Sequence, residues 1–276
     1  GNFGYPPDGG GIGAGASEVD LRNLESKRVL VLVDGIRWVN ESSASGVSGS
    51  ADLNTIPMAM VDRIEVLEDG ASAIYGSDAI AGVVNIITRK KFQGIEINAY
   101  AGKYSQGGDP KDASLMVGGS GDRFSGMFVA SYFDQKGISS GKWAQSLFPE
   151  PNAGLRAGSS ATPQGRYTFC DPARVPPAYG SCTPGQDFFY DLTLNDGTTT
   201  PVWNPANPST GTYHDWAGAA DRFNYQPFNL LLTPSQRKSI FTNVAYQLSD
   251  GVELHVKGLF NNRTSRNQAA PEPIFV

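Results

Sequence analysis

Four aromatic side chains, Trp143, Trp203, Tyr213 and Trp216, lie in one Pro- and Gly-rich stretch, residues 136–234. Such faces stack on sugar rings or on the aromatic groups of a small ligand. Packing of the stretch on itself, or anchoring at a membrane interface, would use the same residues. Other chemistry is thinly supplied. His214 and His255 stand without the partners that ligation needs, so no metal is expected. The carboxylates are scattered and no nucleophile–base set occurs, so no catalytic residue is assigned and no enzyme is expected. GGGIGAG superficially suggests a phosphate loop, but Pro6, Pro7 and Asp8 precede it where a strand is required. It reads as a flexible turn, and no cofactor is implied.

Cys170 and Cys182 are the only cysteines, close together in a strand-poor segment. That spacing reads as a disulfide, with two unpaired thiols as the alternative. The ring would stabilise by about 3 kcal/mol on a loop-entropy account and implies an oxidising compartment.

The elements that must position these residues follow from composition and periodicity. Charged residues make up 18% of 276, below the usual quarter, and hydrophobic residues 39%. With 33 glycines and 11% aromatics this suits many short strands and turns, or a membrane barrel whose strands are half apolar. A net charge of −5 argues against nucleic acid as partner. No apolar run reaches the roughly 18 residues of a membrane helix. The chain opens without a leader pattern and reads as mid-protein.

Residues 29–33 form a buried strand ending at an Asp-Gly turn, with 36–39 returning as a hairpin. Residues 40–51 are a small, polar, mobile loop. Asp52 caps a single turn over 53–56, stopped by Pro57. Residues 61–67 form a second strand, with Ile64 and Val66 on one face and Arg63 and Glu65 on the other. One helical turn closed by Gly76 precedes a third strand at 81–88, apolar on both faces.

From Gly94 the pattern changes to long period-2 alternation, giving about five strands of roughly ten residues with one apolar and one polar face. Ile95, Ile97, Leu115, Val117, Phe128, Ile240, Val256 and Phe260 fall on the apolar side. Short turns alternate with long loops, as in an outer-membrane barrel whose apolar face meets lipid. A soluble sandwich with one wet face gives the same alternation.

The segments RVLVLVDGIRW, DLNTIPMAMVDRIEVLEDG and ASAIYGSDAIAGVVNIIT, followed by barrel-like strands after Lys91, resemble a TonB-dependent outer-membrane receptor. The resemblance implies an α+β plug domain at 1–91. It also implies the start of an antiparallel transmembrane β-barrel at 92–276, with a long extracellular loop at 136–234. About five of an expected 22 strands are present. It implies active uptake of a scarce nutrient across the bacterial outer membrane, driven by the TonB–ExbB–ExbD complex pulling on an N-terminal segment. The expected ligand sits between plug apex loops and extracellular loops. On this resemblance Trp38, Asn40 and Glu41 belong to one apex loop, and Phe3, Tyr5 and Asp8 to another. Arg63 and Glu65 correspond to charged plug positions that contact the barrel wall. No TonB-binding segment precedes Gly1, and five strands cannot close such a barrel, so the chain is expected to be part of a longer protein. A passive porin or adhesin, or a soluble sugar-binding or hydrolytic β protein, are the alternatives. Ferric siderophores, oligosaccharides, cobalamin and peptides are candidate ligands. The aromatic, acidic-leaning loop slightly favours a neutral glycan.

Overall fold

Five consecutive β-branched or leucine residues make β1 (Val29–Val33), and all five are buried. A strand apolar on both faces belongs inside a sheet beside a parallel neighbour. β1 pairs in parallel with β4 (Gly82–Thr88) from Val29↔Gly82 to Val33↔Ile86. Asp34 and Gly35 both take positive φ, 50° and 81°, which is the hairpin turn an Asp-Gly pair favours. The returning strand β2 (Ile36–Arg37) has two residues, shorter than the 36–39 expected. β3 (Val61–Leu67) runs antiparallel to β4 with an irregularity between Val61 and Arg63, giving the order β2-β1-β4-β3. Being an edge strand, β3 leaves Ile64 and Val66 exposed along with Arg63 and Glu65. The single helical turn α1 (Ser72–Tyr75) ends at Gly76, whose φ is +88°. This computed structural model describes residues 15–40, 49–169, 190–196, 212–268 and 270–271.

The described residues fall into two units, the first comprising residues 1–138 and 230–268. Besides the four-stranded sheet, it contains a five-stranded antiparallel wall. Its strands are β5 (Gly94–Ala101), β6 (Pro110–Ser120) and β7 (Phe124–Gln135), and, later in the chain, two strands of 15 and 14 residues, Ser235–Ser249 and Val252–Ser265. The intervening strands are β8 (Ile138–Ser139), β9 (Arg166–Phe169), β10 (Tyr190–Leu194), β11 (Tyr213–Asp215) and β12 (Leu230–Leu232), so the last two wall strands are β13 and β14. The wall order is β14-β13-β7-β6-β5. Four of its strands reach the roughly 9–11 residues that cross a hydrocarbon core.

Register lines up whole rows across the wall. Ile97, Leu115, Ala130, Ile240 and Phe260 pair in sequence across all five strands, on one face. Ile97, Leu115, Ile240 and Phe260 are exposed. The adjacent row on the opposite face is Glu96, Met116, Val129, Phe241 and Leu259. Met116, Val129 and Phe241 are 2%, 1% and 1% exposed, and with Met127 they join one core with Val31, Val33, Ile56, Met60 and Ile86. Here the structure corrects the expectation of a wholly polar second face. One row of that face is apolar because the four-stranded sheet needs cover on that side.

The second unit comprises residues 139–229 and 269–276. It carries a three-stranded antiparallel sheet, β11-β10-β9, around Leu192, Leu194 and Tyr213. These strands are 3 to 5 residues long, too short for periodicity to reveal within the 136–234 stretch.

Candidate functional site

The polar groups that surround the shared core form the site. On one side, the Asp34 side chain gathers three donors. Thr88 donates its N–H to Oδ1 at 2.8 Å and its hydroxyl to Oδ2 at 2.6 Å. Lys257 on β14 closes an ion pair with the same Oδ2. Burial pushes the Asp34 carboxyl up, but the hydrogen bonds from Lys257 and Thr88, with the lysine charge, outweigh it and hold the carboxyl below its usual range. The Asp-Gly turn is what aims this carboxylate at the wall.

On the other side, Asp52 is 3% exposed and caps the 3-10 turn Leu53–Thr55, accepting the Asn54 N–H at 2.9 Å. Its Oδ2 lies 2.9 Å from Arg263 Nε, an ion pair with a side chain of β14. Arg237 on β13 donates from Nη1 to Asn54 Oδ1 at 2.7 Å and stacks over Phe133 at 4.0 Å. Beside it lies a cavity of about 300 Å³ lined by Met58, Arg89, Glu96, Asp112 and Arg237 among others. Arg89 Nη1 sits 3.9 Å from Glu96, and its carbonyl accepts from Asn243 Nδ2 at 3.4 Å. The arrangement grips the four-stranded sheet against the wall by a buried apolar row flanked by buried and half-buried charge pairs. It offers retention and release. Asp34 and Asp52 read from sequence only as turn and cap, and Lys257, Arg263 and Arg237 are not singled out by it, because the partners across the core lie about 180 to 220 residues apart. Lone wall cations at alternating polar positions were the available signal.

Trp38, expected in a ligand-contacting loop, is half-buried. It packs on the shared core and donates from Nε1 to Thr55 Oγ1 at 2.8 Å. Asn40 is exposed two residues on. Arg63 donates to Glu65 at 2.9 Å and to Asp62 at 3.2 Å, all on the exposed edge strand. Glu65 also accepts from Asn85 at 3.3 Å.

Within the second unit, Trp143 is 38% exposed. Tyr213 is buried in an edge-to-face contact with Tyr167 at 5.7 Å, and burial pushes its phenol up. Trp216 carries the Arg166 guanidinium 4.6 Å above its ring. Asp191 fixes that guanidinium with two bonds, 2.8 and 2.6 Å. Tyr213 and Trp216 are thus brought together around one small sheet. His214 is held between Asn195 at 2.8 Å and Asp221 at 3.2 Å. Phe3, Tyr5, Asp8, Glu41, Trp203, Cys170 and Cys182 lie outside the described residues.

The family model described as the TonB-dependent receptor plug domain matches residues 5–83. Among solved structures, a point mutant of the ferric enterobactin receptor PfeA from Pseudomonas aeruginosa, in complex with enterobactin, is 16% identical with a TM-score of 0.52. The alignment covers 90% of this chain and 27% of that one. A second point mutant of the same receptor gives 17% identity and a TM-score of 0.50, over 90% and 27%. The siderophore receptor PirA of the same organism gives 14% and 0.44, over 90% and 28%. The chain spans about a quarter of the length of these receptors.

Proposed function

Residues 5–83 are a TonB-dependent receptor plug domain, the strands that follow have the fold of the N-terminal barrel wall, and from this premise we propose that the chain gates active import across the bacterial outer membrane. The carrying observation is the common core of plug and wall. A sheet seated on the wall's inner face blocks a lumen, and the opposite face is an apolar surface suited to lipid. A passive porin has no use for such an obstruction, and the shared core weighs against that reading.

The cargo is a scarce nutrient too large for open channels, carried without chemical change. Energy comes from the TonB–ExbB–ExbD complex acting on an N-terminal segment. Asn40 and Glu41 from the plug and Trp143, Trp203 and Trp216 from the 136–234 region are the proposed ligand contacts, whereas Trp38 and Tyr213, packed in their own cores, are proposed only to hold those regions in shape. A disulfide between Cys170 and Cys182 would tie that region together. Arg63 and Glu65, on the exposed edge strand β3, are the proposed charged plug positions that meet the barrel wall. A solved neighbour is named as a ferric enterobactin receptor, while the aromatic loop suits a neutral glycan. Ferric enterobactin and an oligosaccharide are therefore the two ligands to offer.

The test is uptake of each labelled ligand by cells expressing the full receptor. Saturable uptake that stops when the proton gradient is collapsed is expected for one of them. Uptake that survives collapse of the gradient overturns gated import in favour of a passive channel.

A further inference from the structure

Asp52 and Asn54 sit two residues apart at one 3-10 turn, and each side chain reaches both the N-terminal segment and the wall, Asp52 Oδ1 also capping the Asn54 N–H. Asp52 Oδ1 accepts the backbone N–H of Ser17 at 2.9 Å, while Oδ2 lies 2.9 Å from Arg263 of the wall. Asn54 Nδ2 donates to the carbonyl of Gly15 at 2.8 Å, while Oδ1 accepts from Arg237 of the wall at 2.7 Å. The backbone joins the same knot, since Leu53 N–H donates to the Ser17 carbonyl at 2.8 Å. One atom of each side chain therefore holds the N-terminal segment, and the other holds the wall.

This division has an energetic consequence. Asp52 is 3% exposed and the Arg263 side chain 18%. Removing Arg263 takes the ion-pair partner from the buried Asp52 carboxylate, which is costlier than losing an exposed pair. Drawing the Asp52 carboxylate after Ser17 also lengthens its ion pair with Arg263. The two grips cannot loosen independently, and groups sharing one network couple strongly.

We propose that Asp52 and Asn54 form a clip through which the segment at Gly15–Ser17 and the wall arginines Arg237 and Arg263 release together. The clip deepens the gated-import reading and rests on it for the direction of the pull. A displacement of residues 15–17 reaches the wall through two side chains, before β1 or β4 is disturbed. The Asp34–Lys257 pair, which has no bond to this segment among those described, would stay closed at that stage.

The test is hydrogen exchange of the Ser17, Leu53 and Asn54 amides in the full-length receptor in detergent, without TonB. Arg263→Gln, a change about 246 positions from Ser17, is expected to speed their exchange at least about tenfold. Lys257→Met, on the same strand, is expected to leave them within about twofold. Arg263→Lys keeps the charge without the guanidinium geometry, gives an intermediate rate, and carries the test if the glutamine variant does not fold. Unchanged exchange in Arg263→Gln overturns the clip. Equal acceleration by Lys257→Met also overturns it, because the effect is then general loosening of the plug. The readout involves no transport, so failure of the clip leaves gated import standing, and passive uptake would leave the clip standing.

Discussion

Replacing Phe241 with alanine strips the wall of the largest side chain on which the plug core closes. Phe241 is 1% exposed and lies in the row Met116–Val129–Phe241, against Val31, Met60 and Ile86. Truncating a buried phenylalanine costs about 3–5 kcal/mol, part lost transfer energy and part cavity. The loss falls on the state in which plug and wall are joined. The lower figure alone raises the population of separated plug by about two orders of magnitude. Hydrogen exchange at the β1 and β4 amides of the detergent-solubilised receptor reads that population through local opening. Phe128→Ala supplies the control. Phe128 sits on the neighbouring strand β7, but on the outward face and 42% exposed. It is expected to change plug exchange by less than about twofold. Acceleration below about threefold in Phe241→Ala, or equal acceleration in Phe128→Ala, would refute the shared core as the seat of the plug.

Three other outcomes are expected. Asp34 is held below its usual carboxyl range, so its contribution to the plug's grip is present above the unfolded-state pKa and is lost as pH falls through the lower folded value. Acid titration of plug exchange should show this loss, and Asp34→Asn should flatten it. Gly82→Ala would place a Cβ 2.4 Å from the Leu67 carbonyl at a φ of +142°. It should lower the plug's stability by more than about 1 kcal/mol, whereas Gly119→Ala, with open space around it, should not shift thermal unfolding measurably. Arg63→Ala in whole cells should admit large antibiotics if its charge meets the wall; unchanged exclusion rules out that role.

Local rules made much of the plug readable. The unbroken run Val29–Val33, the Asp34-Gly35 turn, the Asp52 cap and the stop at Gly76 each depend on neighbours in sequence, and each forms as those rules dictate. The outward face of the wall was readable for the same reason, since alternation fixes it residue by residue. Its inward face was not. Met116, Val129 and Phe241 look like lapses in a polar face until register places them in one row. The same holds for the site. Arg63 and Glu65 stood out by motif but bond to each other, and Arg63 also to Asp62, while the charge pairs that join plug to wall are made between residues too distant for spacing to link. In the 136–234 region, the bonds of Trp216 and Tyr213 arise from strands too short to announce themselves.

The row of buried side chains on the wall also bears on how the chain acquires its structure. Val31 and Phe241 share one core although about 210 residues separate them. The plug is the first part of the described chain, yet the cover of its hydrophobic side is complete only once β13 has been made and paired with β7. Its completion is therefore a late, non-local event, slow by the measure of contact separation. In the interval it presents a sticky surface to its surroundings. Plug and wall have to mature together, and a plug excised from its wall would be prone to aggregate.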